Sequence, residues 1–213
     1  MWGRYREMGT DFVRLYALTD GVFAIVLTLL TFNIKIPPLP RDATDLQVWN
    51  SLGLDFRDVI GYALSYLVVG IFWTVHHRMF RHVVRHDRRL VWRNLAFLFF
   101  LSLLPFTTTL STATATARLP WVLYAGNITL VGTSLAMLWR YALRADHISP
   151  DLDEKTRKNY FEGAASSPII FLLSMIVAIW DLEIARLVPL LLIPYGLLRQ
   201  KSEELQTPSD APQ

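Results

Sequence analysis

Asp20 lies in the first long apolar stretch of the chain, Phe12 to Ile36. An ionisable group at that depth costs roughly 3 kcal/mol on insertion scales, so it is retained to pair with something or to serve a pathway. If successive apolar stretches cross a bilayer in alternating directions, Asp20, His76 and Asn94 fall at similar depth, with Trp73 one turn from His76. An Asp accepting hydrogen bonds from a His and an Asn, with Thr19 beside it, satisfies four polar groups that lipid could not. Two chemistries follow. The group is either a lock between helices, able also to stabilise one of two gating arrangements, or an acid/base pair in an intramembrane enzyme.

A second constellation lies on the same segment. At 100° per residue, Leu18, Ile25, Leu29, Phe32 and Ile36 share one stripe and Thr28 borders it, while Asp20 projects about 140° from Ile25. Repeated around a symmetry axis, that stripe makes a narrow apolar pore with a hydroxyl ring at Thr28, and Asp20 turns back into its own subunit. Ordinary helix packing or lipid contact is the competing reading. Arg14 sits at the start of this segment. It either snorkels to the interface or lies close enough to the stripe to tune cation entry.

Other polar residues carry less. His82 and His86 have the spacing of two ligands on one helical face, but they stand among arginines that repel a cation, with only Asp87 nearby. No metal site is expected, and no cofactor. His-Glu-x-x-His and Gly-x-Ser-x-Gly motifs are missing, which weighs against the enzyme. The Thr- and Ser-rich run Thr107 to Thr116 suits side chains that bond back to their own helix. Pro105, Pro189 and Pro194 are kinks or packing breaks.

The elements that must hold these residues are membrane helices. The chain of 213 residues is 53% hydrophobic, and its apolar residues come in runs near the ~20 needed to cross a bilayer. The runs are Phe12 to Ile36, Val59 to His76, Val91 to Ser111, Pro120 to Leu143 and Ala164 to Leu198. The last carries Asp181, Glu183 and Arg186 near its middle and reads as two short spans, Ser167 to Trp180 and Ile184 to Leu198. A span of ~14 residues rises only about 21 Å, so a re-entrant hairpin is an alternative there. The fold class is all-α integral membrane, with six transmembrane helices per subunit.

Sixteen of the 21 Lys and Arg fall on the side of the N-terminus, which places both termini in the cytoplasm and the protein in the cell membrane as a multi-pass chain. The apolar run at Phe12 is too long for a signal peptide. Residues 1–202 are expected to form one transmembrane domain and 203–213 a disordered cytoplasmic tail. Pro37-Pro38-Leu39-Pro40 ends the first helix, an external loop follows with a short amphipathic turn near Leu46 to Leu54, and Arg78 to Arg93 extends the second helix. The net charge of +3 comes mostly from loops facing anionic lipid headgroups and implies no nucleic acid partner. No internal repeat is visible.

The run Arg14-x-x-x-Leu18-Thr19-Asp20-Gly21-Val22-Phe23-Ala24-Ile25 resembles the signature of the transmembrane protein 175 potassium channel family, Arg-x-x-x-Phe-Ser-Asp on the first helix, with Leu18 for Phe and Thr19 for Ser. Trp73-x-x-His76-His77, Asn94 and Leu103-Leu104-Pro105-Phe106 are similar to the family pattern in the same order. The resemblance covers roughly residues 10 to 140. It implies a potassium-preferring cation channel, a homotetramer of single-repeat bacterial subunits around the first helix. It also implies an apolar constriction at Ile25 with a hydroxyl at Thr28, while Leu29 and Phe32 continue the lining. Arg14, Thr19, Asp20, Trp73, His76 and Asn94 then form the supporting and gating network. The chain has no Thr-Val-Gly-Tyr-Gly filter, so selection rests on dehydration at an apolar neck and is modest. The remaining alternative is a proton-coupled or other secondary transporter, against which the lack of paired repeats counts.

Overall fold

In a bilayer every backbone polar group must be satisfied within the protein, so long apolar runs become helices. The computed structural model describes residues 2–34, 39–51, 56–114 and 116–192, and the regular elements within them are all helices apart from one isolated bridge. Helix α1 covers Trp2–Leu29 and tightens into a 3₁₀ turn at Leu30–Asn33. Next come α2 (Asp45–Ser51), α3 (Phe56–Phe80), α4 (Arg88–Ser102), α5 (Leu104–Thr112), α6 (Arg118–Arg144), α7 (Glu154–Val177) and α8 (Leu182–Leu187). Among the described residues, five segments are long and apolar enough to cross a membrane: Val13–Phe32, Val59–Phe80, Arg88–Thr112, Arg118–Arg144 and Glu154–Val177.

Helix α2 is the expected amphipathic turn, opened by a capping box. Thr44 N–H donates to Gln47 Oε1 at 2.9 Å and Gln47 N–H donates back to Thr44 Oγ1 at 3.4 Å. Pro105 stands in the first turn of α5, and the third crossing changes helix at Leu103 just before it. A proline is tolerated there because first-turn N–H groups have no intrahelical acceptor.

Two expectations are corrected. The fifth crossing starts at Glu154, ahead of the expected Ser167, because Asp153 caps the helix by accepting from Thr156 N–H at 3.0 Å. The polar stretch 154–163, ahead of the apolar run from Ala164, is therefore helix, and the helix is 24 residues long, without the shortfall of a 14-residue span. After α8 the chain makes a second 3₁₀ turn at Val188–Leu191. The rest of the expected sixth span and the tail 203–213 lie outside the described residues.

The second correction concerns residues 81–87, expected to prolong α3. They leave the helix and pair with the loop after α6: Val84 N–H donates to His147 O and Ser149 N–H donates to His82 O, both at 2.8 Å, around the bridge Val83–Ile148. Asp87 then caps α4 by accepting from Leu90 N–H at 2.8 Å. Its other oxygen accepts from the Tyr141 hydroxyl, and His147 Nε2 lies 3.4 Å from Oδ1. Desolvation raises the Asp87 pKa, but the hydrogen bonds from Tyr141 and Leu90, with the imidazole of His147 close by, outweigh it and hold the carboxyl below its ordinary range. A depressed carboxylate pKa means that its stabilisation is present above the unfolded pKa and is lost as pH falls through the folded one. Asp87→Ala should therefore cost about 1 kcal/mol at neutral pH, in thermal unfolding of the detergent-solubilised protein, and progressively less below pH ~4.

Helix α6 is the centre of the bundle, with Tyr124, Ile128, Leu135 and Trp139 buried along it. Its seam with α7 closes at Gly132, where an added Cβ would stand 2.4 Å from Pro168 Cδ. A proline ring cannot swing away as a flexible side-chain tip does. Gly132→Ala should thus push the helices apart and lower stability by about 1–3 kcal/mol, read as a fall in melting temperature. Polar relays tie the helices where water is excluded. The Tyr124 hydroxyl donates to Ser65, which donates to Thr108, each at 3.0 Å, because the Thr108 hydrogen is already given to Leu104 O at 2.8 Å. Trp121 Nε1 donates to Ser174 Oγ at 3.0 Å, and Ser174 donates to Ala185 O at 2.7 Å, fixing α8 against α6 and α7.

Candidate functional site

Helix α1 divides into two faces. Leu15, Thr19, Phe23, Val26 and Leu30 are buried against α3, α4 and α5. On the other side Leu18, Ile25, Leu29 and Phe32 are exposed, Ile25 by 58% and Phe32 by 79%. Ala17, Gly21, Ala24 and Thr28 are exposed as well. At 100° per residue these four small residues fall within about 60° of one another, beside the Ile25 stripe. A Cβ added at Gly21 would meet nothing within 4 Å. The protomer therefore presents a bare arc of α1 with a small-residue strip in the middle, a surface that lets another helix come close.

Thr28 Oγ1 lies 2.8 Å from Ile25 O and 3.1 Å from Ala24 O, so its hydrogen is committed to its own helix. The hydroxyl offers only lone pairs to anything outside. An acceptor-only oxygen beside an apolar residue suits a cation or its hydration water and gives an anion nothing to bind.

The polar network is built around Asn94 at the middle of α4. Asn94 Nδ2 donates to Thr19 Oγ1 at 2.9 Å, and Thr19 donates to Leu15 O at 2.9 Å. Asn94 Oδ1 can only accept, so the 2.9 Å contact with His76 requires the proton on His76 Nε2. Every hydrogen points the same way, from α3 through α4 into α1. Thr19, His76 and Asn94 are all buried, and the imidazole is stacked between Phe80 and Phe97 with ring centres at 4.0 and 5.4 Å.

Asp20 is not the hub expected from the sequence. Its side chain is exposed at the rim of α1, and it bonds to neither His76 nor Asn94. Trp73 Nε1 donates to Asp20 Oδ1 at 2.9 Å, and the Trp73 ring stacks on His77 at 5.3 Å. The cause is rotation: one residue along a helix is 100°, and the buried face of α1 is centred on Thr19. Arg14 is exposed, on the flank of α1 that carries Ile25. His82 lies 3.3 Å from the Tyr160 hydroxyl. Among the described residues, no three His, Asp or Glu side chains converge as metal ligands do.

Sequence reasoning missed the Asp87–Tyr141–His147 cluster and the Gly132–Pro168 contact. Asp87, parted from the apolar residues that start at Leu90 only by Arg88 and Arg89, was a readable cap signal. The Gly–Pro contact joins positions 36 residues apart and has no local signature.

The motif-bearing helices coincide with the match to known proteins. A family profile described as endosomal/lysosomal potassium channel TMEM175 fits residues 14–105. A potassium channel of Streptomyces collinus is 30% identical over 194 residues, covering 87% of this chain and 88% of its own. The chain belongs to the TMEM175 family. A potassium channel of a Chryseobacterium species is 28% identical over 149 residues, covering 70% of this chain and 74% of its own. The TMEM175 fold is seen directly in the crystal structure of a potassium-selective homologue from Chamaesiphon minutus. It superposes with a TM-score of 0.74 at 24% identity, covering 89% of this chain and 98% of that one.

Proposed function

We propose that this TMEM175 chain is a potassium-preferring cation channel, a homotetramer whose pore is lined by α1. The observation that carries the reading is the bare arc of α1. It is an apolar stripe with an acceptor-only hydroxyl, on a helix whose opposite face is locked into the protomer. Four copies meeting along Ala17, Gly21 and Ala24 would bring Ile25 to a neck with Thr28 next to it and Leu29 and Phe32 beyond. Arg14 stands at the mouth. Potassium loses its hydration shell at such a neck more cheaply than sodium, which gives preference without a carbonyl cage.

The chain Thr19–Asn94–His76 serves as the lock that sets the rotation of α1, and the Asp20–Trp73 bond is a second tie at the rim, suited to breaking when the helix turns. Residues 1–202 act as one domain. A sixth crossing over Ile184 to Leu198 would bring the C-terminus to the side of the N-terminus, in the cytoplasm of a cell whose membrane holds the channel.

The test is ion flux from liposomes loaded with potassium chloride. A channel releases potassium down its gradient, without saturation and without moving protons stoichiometrically, and releases sodium more slowly. Saturating flux driven by a proton gradient would mark a secondary transporter.

A further inference from the structure

Where α4 leaves Asp87, the surface it shares with α6 is dense in cations. Arg88, Arg89 and Arg93 in the first turns of α4 and Arg140 and Arg144 in the last turns of α6 are all exposed. None of these five makes an ion pair among the described residues. The carboxylate standing between the two helices is already engaged, since Asp87 takes the Leu90 N–H and the Tyr141 hydroxyl, with His147 Nε2 3.4 Å away. Arg93 is nonetheless held in place, its guanidinium carbon 4.6 Å from the centre of the Tyr141 ring. One turn further into the bundle the same surface becomes apolar and remains uncovered, with Trp92, Phe99 and Met137 each more than half exposed. The outer stripe of α6 faces away from α1, which makes its contacts with α3, α4 and α5.

We infer that the α4–α6 seam binds one anionic phospholipid, its phosphodiester held by Arg93, Arg140 and Arg144 and its acyl chains lying along Phe99 and Met137 beside Trp92. The charges and greasy residues are arranged as that molecule is: a fixed cationic rim, an amphipathic indole at headgroup level, and an apolar strip beyond. A guanidinium fork matches two phosphate oxygens, which a single ammonium could not span. A zwitterionic headgroup would bring its own cation up against a surface that already carries five exposed arginines. Free phosphate would find the arginines but leave the strip empty.

The experiment uses the full chain in detergent with added phosphatidylglycerol, phosphatidylcholine or inorganic phosphate. Bound lipid is counted by native mass spectrometry, with thermal unfolding as the second readout. Wild type should retain phosphatidylglycerol and gain melting temperature from it, but do neither with phosphatidylcholine or phosphate. The triple variant Arg93→Gln, Arg140→Gln, Arg144→Gln should bind phosphatidylglycerol on the order of 100-fold more weakly, each arginine contributing roughly fivefold. Arg144→Gln alone, at an exposed helix end, provides a folded protein if the triple variant does not fold, with a loss of about fivefold. Lys158→Gln, which removes a cation on α7 away from the seam, should bind as wild type does. Equal retention of phosphatidylcholine by wild type, unchanged binding by the arginine variants, or an equal loss in Lys158→Gln would each overturn the proposal. So would a stabilising effect of phosphate alone, which would make the seam an ion site without a lipid.

Discussion

Ile25→Asn is expected to widen and wet the neck of the pore, raising cation flux and bringing the potassium-over-sodium ratio to about one. The reason lies in where each ion gives up its water. Sodium holds its hydration shell more tightly, so an apolar constriction penalises it more. An amide at the same position supplies an oxygen that substitutes for lost water and removes most of the difference. Ile25 is 58% exposed on the free face of α1, so the change leaves the packing of the protomer intact. Liposome flux with paired potassium and sodium gradients reads the ratio. The same substitution at Met137, on the outer stripe of α6, should leave it where it was.

Asn94→Leu should have a large effect on stability. Leucine keeps most of the volume but removes both hydrogen bonds that join α4 to its neighbours, so His76 Nε2–H has no acceptor and Thr19 loses a donor. Burying such an orphaned group costs about 1–3 kcal/mol, and neither lipid nor water reaches this site to relieve it. The melting temperature and the yield of assembled oligomer should both fall. Asp20→Asn should do far less, because an asparagine oxygen can still accept from Trp73 at the exposed rim. This ordering, Asn94 above Asp20, reverses what charge alone suggests. It is checked by unfolding both variants side by side.

That reversal marks how far the sequence can be read. Depth in the membrane was legible, because run lengths and alternating direction put positions 19, 76 and 94 at one level. Which of two neighbouring residues faces inward was not, since Thr19 and Asp20 differ by 100° and nothing local fixes the rotation of α1. The all-helical class and five membrane-length segments followed from apolar runs, and the exposed stripe from helical periodicity. The start of α7 was missed because residues 154–163 are polar helix, which a hydropathy reading takes for loop. The break after Phe80 was missed because it depends on backbone bonds from residues 84 and 85 to residue 147, a partner far along the chain. Long-range pairing decides such places, and local pattern does not carry it.

The exposed stripe of α1 as the wall of the ion conduit can be probed with a single thiol, because the chain has no cysteine of its own. Ile25→Cys and Met137→Cys are reconstituted separately, and potassium efflux is followed before and after adding silver ions. Efflux through Ile25→Cys should fall nearly to the protein-free level while Met137→Cys and wild type continue to conduct. Persistent efflux through silver-treated Ile25→Cys, or equal block of Met137→Cys, would contradict a pore lined by α1.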